Sequence, residues 1–130
     1  MMTISVPTSK RVEFVEITSQ IQSAIEKEKV KSGGCIVYVP HTTAGVTINE
    51  NADPDVVRDM TLALGKIVPE HGDYRHSEGN SDSHIKSSIF GNSQYLIIDN
   101  GKIQLGTWQG VYFCEFDGPR NRQVWLQFIG

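Results

Sequence analysis

Three of the four histidines in this 130-residue chain lie where other polar chemistry is concentrated. His41 follows the apolar run CIVYVP, so it stands at the end of an expected buried strand, where a sheet holds a side chain firmly and leaves it reachable. His76 and His84 fall in DYRHSEGNSDSH, residues 73–84, which contains no aliphatic residue. Neutral imidazoles bind Zn²⁺ and similar ions, and three of them make an open catalytic metal site. Two histidines on one helix share a metal when three or four residues apart. His76 and His84 are further apart, so a joint role requires the loop to fold back. The same segment offers an anion site, because Gly79-Asn80-Ser81 leads into an expected helix whose free amides and dipole favour phosphate. Arg120 and Arg122 in GPRNR add two guanidinium groups around a tight turn, the geometry that grips phosphate in two-pronged fashion. Asn49-Glu50-Asn51 places three more polar side chains ahead of a helix start. Each feature also has a plainer explanation: a hydrogen-bonded strand-end histidine, a solvated loop, an ordinary helix cap, a solvated turn.

Composition narrows the setting. A chain of this length forms one domain, residues 1–130, able to bury a core without disulfides or a structural metal. Hydrophobic content of 38% and charged content of 21% fit a globular protein, and a net charge of −3 argues against a general nucleic-acid binder. Cys35 and Cys114 sit in apolar strand-like runs and read as buried thiols rather than a disulfide. MMTISVPTSK has no apolar signal-peptide core, and apolar runs of about five residues fall far short of a membrane span. A cytoplasmic protein with no membrane partner is the expectation. P-loop, dinucleotide fingerprint, CxxC pair and a Ser-His-Asp order are all absent.

The elements that must position these residues follow from local pattern. RVEFVEIT reads as a strand, and Ile21, Ala24 and Ile25 define an amphipathic helix over residues 20–30, capped by Thr18 or Ser19. CIVYVP and VTIN are strands. Asp53-Pro54 starts a second helix whose apolar face is Val56, Val57, Met60, Ala63, Leu64 and Ile67, ended by Pro69. Ser81-Asp82-Ser83 caps a short helix ending at Gly91. SQYLIID, the Asn100-Gly101 hairpin, KIQLG, VYFCEF and QVWLQFI complete a meander-like last third. Trp108 in LGTWQG reads as core or interface packing, and Gln109 could reach a site. The fold class is α+β, with about seven strands, two longer helices and one short one.

HTTAGVTINENADPD, the HSEGN…SHIKSS segment, GKIQLGTWQG and CEFDGPRNR, in this order and spacing, resemble the YjbQ family, whose members are described as secondary thiamine-phosphate-synthase-like. The resemblance runs from about Phe14 to the C-terminal QFIG and leaves only the first dozen residues outside. It implies a sandwich or barrel-like double sheet with helices outside, and a homotrimer with polar residues gathered near subunit boundaries. It marks His41, His76 and His84, with Glu78, Gly79 and Asn80 beside them, as site residues. Asn49, Glu50 and Asn51 match the family's NEN stretch, and Arg120 and Arg122 its basic turn. Arg75 and Ser77 receive no role.

Two functional classes stay open at this point. One is an enzyme acting on a phosphorylated small molecule: a thiamine-phosphate-synthase-like transferase joining a pyrimidine diphosphate to a thiazole phosphate, or a metal-dependent hydrolase. His41, His76, His84 and Glu78 would then be catalytic, with phosphate on Gly79, Asn80, Ser81, Arg120, Arg122, Asn49 and Glu50. The three histidines would favour a Zn-like ion, whereas the transferase would favour Mg²⁺ and oxygen ligands. The other class is a non-catalytic trimer that binds a metal or phosphometabolite at the same residues.

Overall fold

The computed structural model describes every residue from Met1 to Gly130. The elements in chain order are β1 (Met2–Pro7), β2 (Glu13–Glu16), α1 (Thr18–Lys27), β3 (Gly33–Tyr38), β4 (Ala44–Glu50), α2 (Pro54–Ile67), α3 (Ser81–Phe90), β5 (Ser93–Asp99), β6 (Lys102–Gln104), β7 (Gln109–Glu115) and β8 (Asn121–Ile129). They form an α+β domain with two antiparallel sheets, one five-stranded in the order β1-β8-β3-β5-β6 and one three-stranded in the order β2-β7-β4.

Alternation along the strands decides where the core lies. Cys35, Val37 and Val39 point inward from β3, Leu96 and Ile98 from β5, and Val124 and Leu126 from β8. They meet Val46, Val111 and Phe113 of the second sheet and Ile21, Ala24 and Ile25 of α1 in one cluster. Each such side chain taken fully out of water contributes roughly 1.5–3 kcal/mol. The other face of the smaller sheet carries Cys114 and Phe116, which pack with Leu64, Phe14 and Phe90. Phe90 lies 5.2 Å from Phe116 and 5.8 Å from Phe14, centroid to centroid. This aromatic cluster fixes the C-terminal end of α3. The Gly91 carbonyl accepts from Val46 N–H, and a Cβ on Gly45 would sit 2.6 Å from that carbonyl oxygen, so only glycine lets α3 approach β4 this closely.

Several local expectations meet the structure directly. Asp53 caps α2 by accepting from Asp55 N–H at 2.9 Å, with Pro54 opening the helix. Asn100 and Gly101 turn the β5–β6 hairpin with φ of 52° and 74°, the left-handed pair such a turn requires. Five readings need correction. Residues 2–7 form a strand paired with β8, which the isolated, weakly patterned segment did not announce. α3 is as long as α1, ten residues each. α1 begins after Ile17 and α3 after Asn80, neither with a side-chain cap bond. Of the apolar residues assigned to the buried face of α2, only Leu64 is buried, and Ile67 is 73% exposed. Trp108 is 63% exposed and so is not core. Cys35 and Cys114 are both buried and unbridged, and burial pushes the Cys35 thiol up to about 11, which leaves it protonated and inert.

Candidate functional site

The end of β3, the start of β4, the N-terminus of α3 and the start of β8 meet at one end of the domain. Between them opens a cleft of ≈ 680 Å³ lined by His41, His76, Glu78, Asn80, His84, Arg120 and Arg122, together with Thr43, Asp117 and an aromatic edge of Tyr38 and Trp125. Every expected histidine lies there, and both arginines with them.

Its floor is a buried ion pair. Arg122 Nε donates to both oxygens of Glu115, at 2.9 and 3.1 Å, and Nη2 donates to the Thr43 hydroxyl at 2.9 Å. The two side chains are 5% and 0% exposed. Thr8 Oγ1 donates a further bond to Glu115 at 2.7 Å. Burial alone would raise the Glu115 pKa. The bonds from Arg122 and Thr8 outweigh it and hold the carboxyl below its ordinary value. Arg122 therefore spends Nε and Nη2 on structure, while Nη1 has no partner within the chain and the residue lines the cleft. Arg120 bonds Asp117 through Nε and Nη2, and Asp117 also accepts from Asn80 Nδ2 at 2.7 Å. The β7–β8 turn is thereby tied to the helix start.

A second network anchors α3. Asp82, fully buried, accepts from both Nη atoms of Arg11 at 3.0 and 3.1 Å and from Lys86 Nζ at 2.9 Å. Ser83 Oγ donates to Phe116 O, and Ser87 Oγ donates to Ala44 O. Desolvation opposes ionisation of Asp82, but its two cations win and keep the pKa below normal. These bonds hold the first turn of α3 rigidly, and with it His84. His84 stands 5.3 Å from His76, ring to ring and perpendicular, so the loop does fold back.

His41 is held differently. Its Nε2 accepts from Gln123 N–H at 3.0 Å, and its ring meets Phe113 edge-on. A neutral ring bonded this way carries its proton on Nδ1. Burial lowers its pKa first, and Arg122 lowers it further. A native state that disfavours the charged ring binds fewer protons than the unfolded chain, so stability rises with pH across this transition. His41 should therefore cost the fold nothing above the usual imidazole pKa of about 6.5 and destabilise it as pH falls from there through the lowered native value. Urea midpoints between pH 7.5 and 5 should fall for the parent and fall less for His41→Gln. Equal slopes would remove His41 as the cause.

The single chain bears on the metal expectation. The three histidines share a cleft, but no group of three His, Cys, Asp or Glu side chains converges on one point where an ion could sit. His41 is already committed at Nε2 and protonated at Nδ1, leaving His76 and His84 as a pair. The anion expectations also divide. Asn80 lines the cleft, and Ser81 lies in an adjoining recess with His76 and His84. Gly79 does not contribute its amide, which donates to His76 O. Asn49 and Glu50 lie at the far end of β4, about 20 Å of strand away from Thr43. There Asn49 Oδ1 accepts from Glu50 N–H, and Glu50 Oε2 accepts from Asp53 N–H. Asn51 donates to Glu16, and its own N–H bonds Trp108 O. A Cβ on Gly110 would fall 2.6 Å from Glu16 Oε2 and 2.9 Å from Asn51, so the NEN and LGTWQG motifs interlock. Gln109 accepts from Gly106 N–H in the same lock and does not reach the cleft. Thr43, Glu115 and Asp117 carry no site role in the sequence reading, where Asp117 is only a turn residue. The charged residues inside the apolar run VYFCEFD were the available signal for Glu115 and Asp117.

Known proteins share both sequence and architecture. The chain is 55% identical over 125 residues to UPF0047 protein MJ1081 of Methanocaldococcus jannaschii, covering 96% of this chain and 91% of that protein. It is 48% identical to UPF0047 protein YugU of Bacillus subtilis, covering 100% and 99%. A crystal structure of an uncharacterised YjbQ/UPF0047 protein from Clostridium acetobutylicum superposes with a TM-score of 0.97 at 53% identity, covering 99% of this chain and 100% of that one. The family described as UPF0047 protein YjbQ-like matches residues 2–130, so the match includes β1 as well as the motif-bearing segments. The chain belongs to the YjbQ (UPF0047) family.

Proposed function

We propose that this protein binds a phosphorylated small molecule in the histidine–arginine cleft and acts on it by transfer or hydrolysis at the phosphate. One observation carries this reading: His41, His76, His84, an arginine with a free Nη1 and the N-terminus of α3 line a single cleft. Arg122 Nη1 and the free first-turn amides suit phosphate oxygens, and the His41 Nδ1–H offers a further donor. His76 and His84 have unbonded ring nitrogens and are the candidates for moving a proton, with Glu78 beside them.

The charge of the cleft favours a single phosphate over a diphosphate. Arg120 is partly neutralised by Asp117, and Arg122 by Glu115. A thiamine-type transfer expels a diphosphate and asks for more positive charge than these groups retain. That reading therefore requires an added divalent ion, Mg²⁺ on oxygen donors or a Zn-like ion at His76 and His84 with a further ligand. The direct test is ³¹P NMR and calorimetry with inorganic phosphate, pyrophosphate and simple phosphate esters, with and without Mg²⁺ or Zn²⁺. Phosphate binding in the parent, with turnover of an ester that falls in His84→Ala, is the expected result. Binding without turnover of any ester would move the protein to a non-catalytic binder, and no binding at all would end the proposal.

The assembly belongs to the same reading. The outer face of the five-stranded sheet presents Ile36, Tyr38, Tyr95, Ile97, Trp125 and Ile129, and several of these are well exposed. Neighbours such as Ser93, Gln104 and Gln127 are uncharged. Large apolar faces of this kind mark association surfaces, and a homotrimer is the assembly proposed. Light scattering on the purified protein should give three chains per particle, and Ile97→Glu should give one. A parent that runs as a single chain would remove the trimer.

A further inference from the structure

Past the histidines the cleft adjoins a second recess. It measures ≈ 500 Å³ and is lined by His41, Thr42, His84, Ser87, Ser88, Gly91 and Asn92, with no apolar side chain. His41, Thr42, His84 and Asn92 line both spaces, so the two adjoin. The groups offered there are hydroxyls and an amide. Ser88 Oγ donates to His84 O and Ser87 Oγ to Ala44 O, which leaves their lone pairs as acceptors. The Thr42 hydroxyl and the Asn92 amide have no partner in the chain, and both residues are exposed. Gly91 leaves its side of the recess open, with nothing within 4 Å of where a Cβ would stand. The main cleft has a matching need, because Asn80 Oδ1 is buried and accepts no hydrogen bond.

From this division we infer that the ligand is a phosphate ester of a polyhydroxylated carbon skeleton, a sugar or polyol phosphate. Its phosphate lies at Arg122 and the start of α3, and its hydroxyls reach Thr42, Ser88 and Asn92. This rests on the phosphate reading above and adds what the rest of the molecule must be. The recess has no apolar wall on which a planar ring or alkyl chain could be buried, so such groups gain nothing there. Hydroxyls, which both donate and accept, match a lining that mixes uncommitted donors with free lone pairs.

The test compares three probes by calorimetry on the parent: inorganic phosphate, ribose 5-phosphate and n-butyl phosphate. Ribose 5-phosphate should bind at least about tenfold more tightly than butyl phosphate, as two or so added hydrogen bonds would give. In Asn92→Ala and Thr42→Val, whose side chains hold nothing else in the fold, that ratio should shrink toward one. Equal binding of both esters and of inorganic phosphate would overturn the polyol assignment while leaving the phosphate site standing. Tighter binding of butyl phosphate would overturn it as well. Failure of all three probes to bind would overturn the phosphate reading and this inference with it.

Discussion

Arg122→Met should destabilise the protein by about 3–5 kcal/mol, the cost of leaving a buried charge without its partner. Glu115 has no exposed side-chain surface, and most of its bonds come from Arg122. Once the guanidinium is gone, Thr8 Oγ1 and the Asp117 amide remain, too little to solvate a carboxylate. The double variant Arg122→Met/Glu115→Met should recover most of the loss, because two apolar side chains replace the pair and no charge is stranded. Urea unfolding followed by circular dichroism measures both. A single variant within about 1 kcal/mol of the parent would mean that water reaches Glu115 and that the floor of the cleft is not dry. Acid should act on Glu115, and on Asp82 in the α3 anchor, from the other side. The Glu115 and Asp82 pKa values lie below normal, so their contribution is complete above the unfolded carboxylate range, about 4. It is lost as pH falls through the lowered native values.

His84→Ala should lower turnover of a phosphate ester by about 10²–10⁴-fold, the usual contribution of a positioned acid or base. His76→Ala should cost a similar factor. Because the rings stand 5.3 Å apart and would act as a unit, the double variant should be little worse than either single one. Helix α3 is anchored by Asp82, Lys86, Ser83 and Phe90 rather than by the imidazole, so His84→Ala should keep its unfolding midpoint within a few tenths of a kcal/mol of the parent. Turnover unchanged in both single variants would show that the pair is not catalytic. Turnover lost together with stability would mean that the ring's role is structural.

These two predictions draw on residues whose legibility differed. His41, His76 and His84 were visible as unusual polar residues at a strand end and in a loop without aliphatics, and they do line one cleft. Arg122 was visible as a cation but was assigned wholly to phosphate. Its engagement with Glu115 depends on the turn that carries the chain from β7 in one sheet to β8 in the other. Asn49 and Glu50 looked like site residues because they are polar and flank a strand. The strand carries them to the opposite end of the domain from His41, where Glu50 accepts from the Asp53 N–H ahead of α2 and the next residue, Asn51, locks the Trp108 turn. A three-histidine metal centre drew on residue type and on the family resemblance, and within one chain the Gln123 amide bonds His41 Nε2.

Short-range chemistry was enough for what lies within a few residues. Asp53-Pro54 had to open a helix, Asn100-Gly101 had to turn a hairpin, and the continuous apolar run CIVYVP had to form a strand. Those outcomes depend on backbone dihedrals and periodicity that the residues themselves dictate. The site was decided by pairing over distance: β8 between β1 and β3, α3 clamped on β4, and Arg11 reaching across to Asp82. Register in such a sheet is set by the whole buried pattern, and a slip of one residue turns every side chain to the other face. Which polar groups meet in the cleft, and which are spent holding it together, therefore belongs to the tertiary structure.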